Sequence, residues 1–571
     1  MPRKGTKNIP KRYGRKRPHS QPPNRWEFEK SKSFTSTSAQ KIVQSGKLRS
    51  YELSVDSVYC FLNFALVFNF LSDNVLCKEC NGRIAFSMRD RRGIGFKLNL
   101  KCECGEKTVA SCPLIGKGYE VNRRIVFVFR LLGLGINGLS RFCGMMDICS
   151  GMSTTIYYAC VENIQIATKS VYDMVLKKAV AEEKKENVSR GLQEDHFIVS
   201  GDGTWKKRGF SSLIGVSSLI AYHTKKVVDA IVKSKFCQAC SFWEQKKDED
   251  PTGYDVWQET HVETCTANHD GSSGKMETDG ITEMFVRSVE LHGVKYVTYV
   301  GDGDSKTFKG VLEANPYDDV TVQKKECVGH VEKRMGTRLR NMKKGTKGLG
   351  GKGAGKLTDK AIGELTKYYG LAIRRNSHSV QAMKDAIWAT YYHKSSTDKK
   401  PQHEKCPPGE NSWCTWRKAE ASDTLSLYKH KAPLSDTVLK AIEPIYKDLS
   451  SDDLLQRCLG AHTQNSNESL NNMIWLRAPK QFHSGADIVN IATELGVIIF
   501  NEGEESLLIV MDVMGVRIGT FAESWVHSRD KTRIERAERR VTDAAKKARI
   551  EQREMLAAQH EQLQEEEGCL Y

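Results

Sequence analysis

The 571-residue chain has no long hydrophobic run. Its longest apolar stretch, Val58 to Leu71, is broken by Asn63 and Asn69 and falls short of the ~20 residues a membrane helix needs. A transmembrane reading is therefore excluded. No apolar segment follows the basic N-terminus, so it does not read as a secretory signal, and disulfides are not expected among the 17 cysteines. The thiols call for reduced cysteine or metal. Acid is missing locally as well: residues 1 to 25 hold nine Lys/Arg and none, and residues 331 to 356 hold nine Lys/Arg and one. Together these runs supply the whole net charge of +17, leaving a neutral body with two basic stretches. That distribution points to a localised polyanion, most simply nucleic acid, rather than to general supercharging.

The length suggests two to four domains. Residues 1–50, polar and rich in Lys, Ser and Pro, predict a disordered basic arm, with Lys11 to Arg17 suited to nuclear import or phosphate contact. Residues 51–190 predict an N-terminal zinc-ribbon and helical domain. Three β-rich runs between 196 and 235 then read as an antiparallel meander. A helix with Ile281, Phe285 and Val289 spaced by four follows, then an apolar strand, Val294 to Val300, and a fifth, Val320 to Lys325. That order predicts an α+β, ribonuclease-H-like core over 191–330, with a mixed five-stranded sheet, helices and an insert at 234–272. Residues 331–455 predict a large helical insertion and 456–525 the return to the core. Residues 526–571 predict a charged, solvated helix, since Ser528 to Glu567 contains no Gly or Pro. Its Ile534, Val541, Ala548 and Met555 recur at sevens, a weak seam for a dimer coil.

Asp202 and Asp302 each follow an apolar strand, where a sheet edge opens, and Glu468 starts a helix able to cover that edge. Crowded carboxylates repel and are most easily kept ionised by a divalent cation, and hard oxygen donors favour Mg2+ or Mn2+. Two metals held in this way suit in-line phosphoryl transfer. Closed-site Cys/His spacings are a second signal, fitting structural Zn2+. Cys77, Cys80, Cys102 and Cys104 form one set, with Cys112 as a substitute, and Cys237, Cys240, His261 and Cys265 a second, with His269 to spare. His403, Cys406 and Cys414 lack a fourth ligand, for which His393, Cys327 and His330 are candidates. The run from Gly350 to Lys356 fits a phosphate-binding loop only superficially: Leu357 stands where Ser or Thr should hold Mg2+, and no apolar strand precedes it. The basic run from Lys333 to Lys356 reads instead as a flexible loop tracking DNA phosphates through Lys333, Arg334, Arg338, Arg340, Lys343 and Lys344.

The strings SGDGTWKKRGFSSLIGV, GSSGKME, YVGDGDSK, KECVGHVEKRMGTRLR and NSNESLNNMIW, in that order over roughly 190 to 500, resemble the transposase domain of Mutator-like DNA transposons. The resemblance implies a DDE transposase that cleaves transposon ends and joins them to target DNA. It implies Asp202, Asp302 and Glu468 as the catalytic metal-binding acids, with Asp304 the alternative second acid, and matches the family's Cys-x2-His element to Cys327 and His330. It further implies a homodimer or higher homo-oligomer, since two ends must be handled together, and a nuclear location. A transposase-derived DNA-binding regulator without catalysis is the alternative.

Overall fold

The computed structural model describes residues 36–556 except 45, 47, 208–210, 304, 352, 543, 550 and 553–554. The Lys11 to Arg17 arm and Asp304 therefore lie outside the described residues. An antiparallel three-stranded sheet, β1 (Ala85–Arg92), β2 (Gly95–Cys102) and β3 (Gly105–Ala110), opens the N-terminal region beside the helix Phe64–Asn74. Phe64 and Phe68 lean on Phe96 and Phe86 of that sheet. After a short hairpin, β4 (Leu114–Ile115) and β5 (Gly118–Tyr119), the chain becomes helical and runs into the 36-residue helix Thr154–Ser189. That helix is about 54 Å long at 1.5 Å per residue.

A five-stranded sheet forms the centre. Strands β6 (His196–Trp205), β7 (Ile214–Ala221) and β8 (Val227–Ser234) make the expected meander, and β9 (Lys295–Gly301) and β10 (Gln323–Glu326) run parallel to β6, giving the order β10-β9-β6-β7-β8. All eight residues of β7 are buried, so it needs cover on both faces. Phe197, Val199 and Leu219 face Ile281, Met284 and Phe285 of the helix Lys275–Val286. Val216, Ile220 and Val232 instead join a core with the helices Thr154–Ser189 and Ala486–Glu502. The fifth strand begins three residues later than the apolar run suggests, because Val320 and Val322 pack under the sheet as its approach.

The helical insertion has a core of its own, drawn from Val328–Gly345, Asp359–Arg375, Val380–Ser395, Asp436–Leu449 and Asp452–Cys458. Here the structure corrects the expectation of a flexible basic loop. Lys333 to Lys344 lie on the 18-residue helix Val328–Gly345, whose Val328, Val331, Met335 and Leu339 recur at helical spacing and are buried. Their apolar stripe is hidden among the charges. A second correction concerns residues 36–50, expected to be disordered: Thr37–Ala39 is helical and lies on the helix Thr520–Val541, where the Ser36 amide donates to Glu538 at 2.8 Å, and the helical turn Gln40–Gln44 lies on the helix Ala486–Glu502. That C-terminal helix is in turn not wholly solvated. It starts at Thr520 and buries Val526 and Asp530, the latter accepting from the Glu504 and Glu505 amides.

No single described helix is long and apolar enough to cross a membrane. The pair Glu120–Leu131 and Ile136–Met145, bent by 114°, has the composition only when taken together, and Val126, Phe127 and Leu139 belong to the core.

Candidate functional site

The parallel pairing of β6 with β9 sets Ser200 opposite Val300, so Asp202 and Asp302 each stand two residues farther along adjacent strands. Asp302 comes directly after the last residue of β9. The helix Asn465–Arg477 is fixed across this edge by amides. Asn467, fully buried, accepts from the Ser200 hydroxyl at 2.8 Å and donates to the Ser200 carbonyl at 3.1 Å. Gln464 donates to the Gly201 carbonyl at 2.5 Å, and the Trp475 indole to Thr204 at 2.8 Å. One turn past Asn467, Asn471 donates to Asp202 at 2.7 Å. Glu468, exposed in the first turn, thereby reaches the same edge.

Burial pushes the Asp202 carboxyl up to about 6; the Asn471 hydrogen bond opposes this, and the charges of Asp302 and Glu468 add to it. The three acids thus share one electrostatic field. Among the described residues, their ligand atoms do not all lie within 4.8 Å of one another. Nearby positive charge partly offsets the repulsion. Lys333 lies 3.8 Å from Glu468, which places it at the acids as well as on the basic helix. His330 hydrogen-bonds Gln464 at 2.9 Å, and its contact with Cys327 raises the imidazole against the pull of burial. On the other flank, Glu326 of β10 pairs with Gly301 and is buried, held by Arg334 at 2.7 Å. A Cβ on Gly303 would fall 1.7 Å from the Arg334 guanidinium, so a side chain there would displace that arginine. Asp202, Asp302 and Glu468 offer carboxylate oxygens, the donors a hard divalent cation takes, and are the residues that could hold one here.

Three Cys/His sets do converge within 4.8 Å. In the first, Cys77, Cys102 and Cys104 approach at 3.0 to 3.5 Å, with Cys80 completing the set, and the Cys80 and Glu79 amides bring the Cys77 thiol down to about 6. In the second, His261 Nε2 lies 3.3 Å from both Cys237 and Cys240, and Cys265 is 3.4 Å from Cys240. The third gathers His403, Cys406 and Cys414 with His393, whose Nδ1 is 3.5 Å from Cys414. His393 is thus the fourth member of that set. Cys327 and His330, the other candidates, sit at the acids, while Cys112 and His269 stand outside the clusters, His269 facing Asp279 at 3.3 Å. Closed sets of N and S donors suit Zn2+.

The basic residues divide by partner. Arg334 is committed to Glu326, Arg338 to Asp448, and Lys343 to Asp359 at 3.0 Å. Arg340 and Lys344 are exposed and make no ion pair among the described residues. Sequence reading missed Gln464, Asn467 and Asn471 as site builders, although all lie in or beside the NSNESLNN string.

The family model described as Mutator-like transposase matches residues 60–414, which covers the three strands of the meander, Asp202, Asp302 and the insertion through Cys414. Among curated proteins, none matches the chain.

Proposed function

The chain belongs to the Mutator-like transposase family, and on that premise we propose that it cleaves the ends of a DNA transposon and transfers them to target DNA by a DDE mechanism on a ribonuclease-H-like core. The observation that carries this reading is the placement of Asp202 and Asp302 at the same end of two neighbouring parallel strands, under the helix that bears Glu468 and holds Asp202 through Asn471. Mg2+ or Mn2+ bound there would activate the attacking oxygen and stabilise the leaving one. Asp202 and Asp302 would hold the cation from adjacent strands, with Asn471 orienting Asp202, and Glu468 would close the site from the helix. Lys333 and His330 would limit repulsion before metal and phosphate arrive. The three Cys/His clusters would hold structural Zn2+, whose binding energy substitutes for the small apolar cores of those segments. Handling two ends implies a homodimer or larger homo-oligomer, and the substrate implies a nuclear protein.

The test is incubation of the purified protein with Mg2+ and labelled duplex ends. Asp202→Ala, Asp302→Ala and Glu468→Ala should each abolish cleavage and leave DNA affinity within a few-fold. Full cleavage by any one variant removes that residue from the site, and a wild-type chain that binds but never cleaves would favour the non-catalytic regulator.

A further inference from the structure

Beside the helix that carries Glu468, but outside the acids, lies a cleft of about 430 Å³. One wall is the first turns of Asn465–Arg477, offering the Ser466 and Ser469 hydroxyls; the other is the helix Thr520–Val541. Arg529, Arg533, Arg536 and Arg540 are spaced four, three and four apart, which puts all four on one helical face, and all four line the cleft. Arg533 is used structurally, donating to the Ile499 and Phe500 carbonyls at 2.7 and 3.1 Å and so capping the helix Ala486–Glu502. The other three are exposed and make no ion pair among the described residues.

Lys41 forms the floor. It is 4% exposed, its ammonium lies 3.3 Å from the centroid of the Phe500 ring, and it too makes no ion pair among the described residues. Burial, and then the charges of Arg533 and Lys226, drive its pKa well below the usual lysine value, with Glu502 opposing. Among the described lining residues, four arginines and Lys41 face one carboxylate, that of Glu504. A buried ammonium without an anion is costly to keep, and its cost falls when an anion enters. The Ser466 and Ser469 hydroxyls add donors from the facing wall.

We propose that this cleft binds the phosphodiester backbone of DNA, carrying the strand past the N-terminal end of the Glu468 helix. The proposal rests on the transposase reading for the identity of the polyanion. Arginine forks suit phosphate geometry, and their 10 to 17 Å spread along the helix, at 1.5 Å per residue for the seven to eleven residues separating them, spans two to three phosphates of an extended strand. The three outer arginines neutralise the backbone without reading bases, so they set affinity and path rather than sequence preference.

The experiment compares the full-length chain with the Arg529→Gln/Arg536→Gln/Arg540→Gln variant on one duplex across a salt series. The slope of log affinity against log salt should flatten by roughly 2.7 units if all three pair with phosphates. Thermal stability should be unchanged, because none of the three has an intramolecular ion pair to lose. A second variant, Ser469→Cys, should crosslink to duplex carrying a thiol-reactive phosphate. An unchanged slope in the triple variant, or no crosslink from residue 469, overturns the proposal while cleavage by the wild type would leave the transposase reading intact. Wild-type binding with the expected flattening but no cleavage does the reverse.

Discussion

At the scale of single residues, the acids were readable because each follows an apolar run or opens a helix, whereas their holders were not. Asn471 looks like an ordinary helix residue until the fold brings it 2.7 Å from Asp202, 269 positions earlier. Contacts at that separation leave no local pattern. The carboxyl they hold has a testable pH signature. Asp202 is harder to ionise in the folded chain, near 6, than in the unfolded chain, near 4. The metal-free fold therefore gains stability as pH falls through this window and lacks that contribution above it. Divalent metal binds the ionised form, so stabilisation by Mg2+ in a thermal melt should be full at pH 7.5 and fade below pH 6. Asp202→Asn keeps the shape and an acceptor for Asn471. It should raise metal-free stability at pH 7.5, by on the order of 1–3 kcal/mol, and erase the response to Mg2+. A variant still stabilised by Mg2+ would show that the cation sits elsewhere.

Among elements, periodicity was a good guide where one pattern dominated and a poor one where charge overlaid it. The meander β6 to β8 was legible from alternating β-rich runs with short turns. Val328–Gly345 was not, because its lysines and arginines overlay the apolar stripe while Val331, Met335 and Leu339 carry the fold. Metal clusters followed the same rule: two were complete in local spacing, but the third takes His393 from the helix Val380–Ser395 and completes itself only in space. Trp416 stacks on His403 and Trp413 meets the His393 ring edge, yet the apolar core there is small, so zinc should carry the fold of this segment. Metal analysis of the folded chain should find about three zinc ions, one for each cluster. His393→Ala should lower this to about two and expose the segment from 396 to 431 to protease, while the first two clusters stay loaded. Three ions retained in that variant would free His393 from the ligand set.

For the whole molecule, charge composition agrees with membership of a family that generally binds DNA, while the fold divides the second basic run between internal ion pairs and exposed cations. Counting the second basic run as one surface hid the fact that fold and function share its residues. Arg334 neutralises the buried Glu326 on the strand beside Asp302, with Arg457 at 3.4 Å as a second partner, so its main work is internal. Arg338 faces Asp448 and Lys343 faces Asp359, which leaves Arg340 and Lys344 as the cations of this helix free to meet phosphate. The two kinds of residue should separate experimentally. Arg340→Gln/Lys344→Gln should flatten the salt slope of DNA binding by roughly 2 units and leave thermal unfolding unchanged, since each lost phosphate contact removes about 0.9. Arg334→Gln should do the opposite: it strips a charge-assisted hydrogen bond from a buried carboxylate and should cost on the order of 1–3 kcal/mol of stability with little change in slope. Because the arginine cleft lies on the helix Thr520–Val541, a separate element, its slope change should add to that of Arg340 and Lys344 when the variants are combined. A combined slope no flatter than either variant alone would mean that one DNA segment cannot touch both surfaces, and the two would then belong to different duplexes.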